Sequence, residues 1–547
     1  MPVMSLLKKL QERKWECILL FVIITLGIFL RTYNFHDWLR FSPDEARDAT
    51  YINNALLGKA RLPALGPQAG NTMFYLGPLY YQAEYATALI FGSAPDKLAY
   101  LDLFFSVLAI PLLFFFLRKY FSLEISLALD VLLSLSFFAI SMSRFASNPN
   151  SIPFFVLFFL YSLLELMEEG STKKKYLWAS AVGISMGVGI QLHALLFVIL
   201  PTVALLVCCL LMYRKNLPWK SFFLVVFFFL LINGGQISYE LRNGGANTAQ
   251  LFRGASSESS IKPSAFMRNV SLIFACQIQA NIHIVVSAID IENCGGVFDI
   301  AKAARRNSYI AGAGELINGG ILTIMMGLTV LFSVGGYVLA GYRLKKEGDR
   351  QRRNFLGLFL VYNSMAFVVL VPVASQISIH YFNILIFAPF ILLGLWLDFL
   401  AGWKKEWRKI LMFGMVFLCL ANTGYLVYVA QPYIDKSMSD ANNSILGEIT
   451  PMVDYLIAES DQKDRVYIDG TTYYLKRFFK PFDYLSRRLG VEMIRPDNDK
   501  PFLSGTRFFY ISGVKEKNVR AGETLGGDRV LAVRQFMRVI IYTLLKQ

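Results

Sequence analysis

Three carboxylates stand within five residues in the stretch RFSPDEARDAT, residues 40–50: Asp44, Glu45 and Asp48, with Arg47 between them. A carboxylate held beside a hydroxyl can take its proton as the oxygen attacks. Three other stretches carry cations and amides of the kind that hold a departing anion. They are SRFASNPN with Arg144, Asn148 and Asn150, GIQLHA with Gln191 and His193, and SIHYFN with His380 and Tyr381. Each residue also has an ordinary structural reading. Ser42, Pro43 and Glu45 spell an N-cap, a first helical residue and a capping-box partner. Arg144 can anchor a helix end by snorkelling, Asn148-Pro149 is a common turn, and a lone histidine between apolar runs is usually an interfacial residue. The capping box leaves Asp44 and Asp48 unexplained. A helix N-terminus favours ionised Asp44, which also weakens it as a base, and Asp48 one turn on shares its face, to orient an acceptor or pair with a cation.

What must position these groups is a membrane-embedded frame. Of 547 residues, 55% are hydrophobic and only 17% charged, a composition of polytopic membrane proteins. Apolar runs near 17–31, 98–117, 123–142, 151–167, 176–192, 194–212, 221–239, 316–341, 355–373, 381–399 and 410–430 approach the roughly 20 residues that span hydrocarbon, so about eleven transmembrane helices are expected. The net charge of +15 is a matter of topology. Every second connection (1–16, 118–121, 168–176, 213–220, 342–354, 400–409) is basic, with 22 Lys and Arg in all, whereas the short opposite turns hold only Lys97 and Arg144. The rule that basic loops stay inside then places the N-terminus in the cytoplasm. No nucleic-acid partner is needed to explain the charge.

With an odd number of spans, RFSPDEARDAT and the other three stretches all fall on the outer side, as does everything after residue 431. The first span is read as uncleaved, because no small-residue cleavage site follows it. The transmembrane domain is expected over 1–431, with long outer loops at 32–97 and 240–315. The first loop should hold a capped helix near 43–57 and an aromatic amphipathic run, GPLYYQAEYATALIFG, of the kind that lies on a membrane surface. The second should hold an amphipathic helix near 264–290. Residues 432–547 read as a small α/β extracytoplasmic domain: an amphipathic stretch at 446–458, strand-like RVYID, a basic stretch at 474–489, then VEMI, RFFYIS and RVLAVRQFMRVIIYTLL. Cys276 and Cys294 share one outer loop on the oxidising side and are a candidate disulfide. Cys17, Cys208, Cys209 and Cys419 lie in spans.

Acids and cations gathered at one outer rim suit the transfer of a sugar from a lipid phosphate, whose tail stays in the bilayer while the sugar projects into water. A carboxylate deprotonates the acceptor hydroxyl and cations hold the leaving phosphate. Asp44 is the expected general base. In order and spacing the motifs resemble the membrane glycosyltransferases of the GT-C fold, specifically bacterial family-39-like proteins related to protein O-mannosyltransferases and to the lipid A aminoarabinose transferase. SPDEARDA resembles the acidic motif of the first outer loop, and GPLYYQAEYATALIFG the juxtamembrane helix after it. Residues 122–155 resemble the third and fourth spans, GISMGVGIQLHALLFVILP the next hairpin, and HYFNILIFAPFILLG the late Arg-Tyr motif. The resemblance covers about the first 215 residues and a short stretch near 380. It implies Asp44 as catalytic acid of the motif with Glu45 as partner, a polyprenyl-phosphate-linked sugar donor, and inversion at the anomeric carbon. Arg47, Asp48, Arg144, Asn148, Gln191, His193, His380 and Tyr381 are the expected substrate-binding residues. Three positions depart from the pattern: His193 stands where many relatives have lysine, His380 where many have arginine, and Asp102 where relatives often carry arginine. Asp130, deep in a span, reads as structural.

The expectation is therefore a multi-pass glycosyltransferase of a bacterial plasma membrane, acting on an extracytoplasmic glycan, lipid or protein acceptor. No cofactor is implied. No spacing suggests a metal site, although carboxylates 44, 45 and 48 could hold a divalent cation. Two other readings remain: a secondary transporter or lipid flippase, for which Asp130, Pro111 and the Gly183-Gly187-Gly189 series would be substrate-path features, and a non-catalytic membrane scaffold using its C-terminal domain to bind a partner.

Overall fold

The computed structural model describes residues 14–70, 72–257, 263–287, 294, 319–402, 405–434, 444–496, 502–514, 519–537 and 539–547. The helices that build the membrane domain are α1 (Lys14–Thr32), α2 (Pro43–Leu56), α3 (Leu79–Phe91), α4 (Tyr100–Arg118), α5 (Leu123–Leu135), α6 (Phe137–Met142), α7 (Ile152–Glu168), α8 (Thr172–Leu192), α9 (Leu196–Tyr213), α10 (Trp219–Ile232), α11 (Gly234–Arg242), α12 (Pro263–Val285), α13 (Gly319–Val330), α14 (Gly336–Lys346), α15 (Arg350–Leu370), α16 (Ala388–Ala401) and α17 (Lys405–Ile434). Every apolar run of the sequence falls on one or two of these. Among the described residues, seven helices are long and apolar enough to cross a bilayer, and nine if each of two bent pairs counts as one span. Eleven were expected, and the physical reasons for the difference are local. The run at 123–142 is interrupted at Ser136, so neither α5 nor α6 spans alone. Helix α8 is long enough, but it opens on three lysines and carries glycines, serines and Gln191, which dilute its apolar character.

The break at Ser136 has a purpose in packing. Ser136 accepts from Ala139 N to cap α6 and donates to Ile284 O at 2.7 Å, while Ser287 Oγ donates to Leu135 O and accepts from Phe137 N. The C-terminal end of α12 thus plugs into the interrupted span. This helix, expected only as an amphipathic piece of an outer loop, buries Ile273, Cys276, Ala280 and Ile284 in the bundle core, and Cys276 is bonded to Cys294. Polar side chains along its path are satisfied by neighbours: Gln277 donates to Tyr337, Tyr337 to Asn363, and Asn281 to Ser333. Such internal pairing is what hydrocarbon demands of a buried amide.

The C-terminal region carries α18 (Leu446–Ala458) and α19 (Thr472–Arg488) on a six-stranded sheet ordered β2-β1-β3-β6-β5-β4. The strands are β1 (Arg465–Gly470), β2 (Glu492–Ile494), β3 (Arg507–Gly513), β4 (Thr524–Leu525), β5 (Asp528–Phe536) and β6 (Val539–Leu545). β1 runs parallel to β2 and β3, and the rest pair antiparallel. The apolar stretch 529–545, which reads as one run in sequence, folds back as the β5–β6 hairpin. It turns at Met537, whose φ is +49°.

Candidate active site at the α2 end of the bundle

Ser42 has the extended backbone of an N-cap, and its N–H donates to Glu45 Oε2 at 2.8 Å while its hydroxyl meets the same oxygen. The capping box is therefore built as the residues imply, and it points the three carboxylates in different directions. Asp44 projects to solvent, its side chain 77% exposed, with Arg47 Nη1 at 2.9 Å. Glu45 turns inward and is buried, its Oε1 lying 3.4 Å from Arg40 Nη2. Asp48 is buried one turn on, bound by Arg47 Nε at 2.8 Å and by the Tyr81 hydroxyl at 2.7 Å. Burial raises the Asp48 carboxyl above the usual carboxylate range, against the pull of Arg47 and Tyr81.

Beneath α2, helix α3 supplies a second acidic layer. Tyr80 donates to Asp102 Oδ2 at 3.0 Å, and Asp102 also accepts from Ser151 Oγ at 2.6 Å and from Ser147 N. The Asp102 carboxylate is thus a hub that ties α3, α4 and the loop after α6. Glu84, on the same helix as Tyr80 and Tyr81, is 1% exposed. Tyr80 stands beside it but commits its proton to Asp102, and neither Glu84 oxygen receives a hydrogen bond. Burial, with Asp48 and Asp102 nearby, holds its carboxyl well above the usual range.

The other expected residues arrive at the same end. The His193 ring meets Tyr381 edge-on at 5.4 Å, and His380 lies 4.7 Å from Tyr381. Arg40 is within electrostatic range of His380, so the segment before α2, the α8–α9 turn and residues 378–381 converge. His193 Nδ1 accepts from Leu195 N at 3.2 Å, which leaves the proton on Nε2. The imidazole is half-buried and pushed down to about 4 by burial, so it is neutral at physiological pH. Arg144 is placed differently from a substrate donor. Its guanidinium donates to the carbonyls of Leu30, Arg31, Tyr33 and Asn34 and closes the C-terminal end of α1. Asn148 donates to Leu192 O and fixes the backbone before His193. Asn150 is turned to Phe145 O. Gln191 accepts from Leu79 N and donates to Ile232 O, joining α3 to α10. Carboxylates 44, 45 and 48 each face an arginine, and no group of three or more His, Cys, Asp or Glu is arranged to hold a metal ion among the described residues.

Sequence reasoning did not single out Arg40, Tyr80, Tyr81 or Glu84. The signal was present for two of them: Tyr81 and Glu84 lie three residues apart on a predicted helix and so share a face. Arg40 carries no such mark.

Residues 13–234 match the family model described as dolichyl-phosphate-mannose-protein mannosyltransferase. The match overlaps the first 215 residues or so over which the ordered motifs resemble that family and leaves out the stretch near 380. No curated protein sequence matches the chain. Among solved structures, ArnT from Cupriavidus metallidurans in the apo state aligns over 97% of this chain and 98% of its own at 13% identity, with a TM-score of 0.42. The same protein bound to undecaprenyl phosphate aligns over the same shares at 12% identity and a TM-score of 0.46. The Archaeoglobus fulgidus oligosaccharyltransferase aligns over 91% of this chain and 68% of its own at 12% identity and a TM-score of 0.47.

Proposed function

We propose that this multi-pass membrane protein is a glycosyltransferase that moves a sugar from a polyprenyl-phosphate donor to an acceptor hydroxyl on the extracytoplasmic side, with inversion. The observation that carries the reading is the convergence at one end of the bundle of an exposed carboxylate, Asp44, with Arg40, His193, His380 and Tyr381. The family-model match over residues 13–234 supports a phosphate-linked donor. Asp44 takes the acceptor proton. Arg47 orients Asp44, and Asp48 with Tyr81 fixes Arg47. Glu45 closes the helix cap. Tyr381, between the two histidines, lines the site, and Arg144, Asn148 and Gln191 act by holding backbone in place.

Purified protein in detergent, given a panel of polyprenyl-phosphate sugars and acceptors, should transfer sugar. Asp44→Asn should lose about 10²- to 10⁴-fold in turnover, the usual worth of a general base, with its unfolding profile unchanged. Two helix pairs bent by 66° and 61°, at Trp219–Ile232 with Gly234–Arg242 and at Ile379–Leu385 with Ala388–Ala401, are the discontinuous helices that favour the transporter reading. Detergent removes compartments, so product formation there supports only the enzyme. Absence of transfer with every donor, together with uptake in vesicles, would establish the transporter.

A further inference from the structure

We propose that Arg40 receives the departing lipid-linked phosphate and that residues 444–447 hold it in place, making the C-terminal domain a structural part of the transfer site. This rests on the transferase reading above.

Arg40 sits where four parts of the chain meet. Its Nη2 is 3.4 Å from Glu45 Oε1, its guanidinium lies 4.3 Å over the Phe145 ring, and His380 is within electrostatic range. A guanidinium offers five N–H donors in a planar fork that matches a phosphate. Most of these donors are unused here. Nε is buried with no acceptor, Nη1 has no hydrogen-bond partner among the described residues, and the side chain is 37% exposed. The neighbouring cations are committed elsewhere: Arg47 to Asp44 and Asp48, Arg144 to the carbonyls that end α1. His193 is neutral. An anion at this rim would therefore find unfilled permanent positive charge at Arg40.

The C-terminal domain fixes the backbone that carries it. Phe41 N donates to Ser444 O at 2.9 Å, Leu446 N to Leu39 O at 2.8 Å and Gly447 N to Asp37 O at 3.0 Å, and Arg40 bridges Ile445 in antiparallel fashion. Gly447 permits this approach, since a Cβ there would come within 2.9 Å of Asp37 Cβ. On the other flank Phe41 packs against Tyr484 of α19 at 5.6 Å, and the Tyr484 hydroxyl donates to Ser93 O.

In the transfer step the acceptor oxygen bonds to the anomeric carbon as its proton passes to Asp44. The bond from that carbon to the phosphate oxygen breaks, and its electron pair stays on the phosphate, whose added charge Arg40 meets. Binding of undecaprenyl phosphate to the full-length protein in detergent tests this without turnover. Arg40→Ala should weaken binding about 10- to 100-fold, the loss expected of a charge-assisted pair. Arg40→Lys should recover part of it, and the affinity of the unaltered protein should fall with added salt. Gly447→Ala should weaken binding severalfold, and should add nothing in an Arg40→Ala background, because the clamp acts through that side chain. Equal affinity of Arg40→Ala and the unaltered protein overturns the proposal, including when the variant is less stable, since Arg40 would then be only the counter-ion of Glu45. An additive effect of Gly447→Ala overturns the role of the C-terminal domain. Failure of the unaltered protein to bind while still transferring sugar sinks this inference alone. Failure both to bind and to transfer sinks the transferase reading.

Discussion

Glu84→Gln should remove a pH dependence of stability that is built into α3. In the folded protein the Glu84 carboxyl is 1% exposed, neither oxygen accepts a hydrogen bond, and Asp48 and Asp102 lie nearby, so it keeps its proton well above its ordinary value of 4.5. Unfolding exposes it to water, where it ionises near that ordinary value. Between the two values the folded state binds more protons than the unfolded state, so stability is full below 4.5 and declines as pH rises toward the folded value. The slope is about 1.4 kcal/mol per pH unit for one group. That slope holds over whatever part of the range Glu84 keeps its proton in the fold while the unfolded chain has lost it. Glutamine keeps the shape and does not titrate. Asp48 titrates in both proteins, so the informative quantity is the stability of Glu84→Gln minus that of the unaltered protein. Denaturant unfolding of detergent-solubilised protein at pH 6, 7 and 8 should show this difference growing with pH, by up to about 1.4 kcal/mol per unit. A difference flat to within about 0.5 kcal/mol would mean that Glu84 is ionised or solvated in the fold, and the reasoning about its burial would be wrong.

Two further substitutions probe the joints that hold the site. A Cβ on Gly77 would lie 2.1 Å from Gln191 Oε1, so Gly77→Ala should displace the side chain joining α3 to α10 and lower stability by about 1–3 kcal/mol in the same unfolding assay. Arg144→Ala leaves four carbonyls near the end of α1 without their donor and should cost about 3 kcal/mol or more. Arg144→Lys should not rescue it, because an ammonium cannot reproduce the planar fork.

Much of the fold was legible because its signals are local. Ser42-Pro43-Asp44-Glu45 fixes where α2 begins, since cap and partner lie within one turn of each other. The apolar runs mark the helices because apolar length is all that a bilayer requires. In the C-terminal region, apolar patterning marks α18, β1, β2 and β3 close to their observed limits, whereas 474–489, read only as a basic stretch, forms α19. What misled was equally local: the stretch 529–545 has no Gly, Pro, Asn or Asp to announce its turn, and Ser136 within an apolar run gives no notice of the helix that plugs the gap beside it.

Within the site the division is sharper. Residue type and spacing determined that acids lie at the start of α2 and that histidines, amides and arginines fall in turns at the same end of the bundle. Only tertiary packing decided which acid faces water, which is buried against Arg47 and Tyr81, and that Arg144 is spent on backbone while Arg40 is not. Burial and pairing depend on neighbours far along the chain, such as Asp102 beneath Tyr80 or Ser444 beside Phe41. A periodic pattern records the face a residue takes on its own helix, and it carries no information about what will be packed against that face.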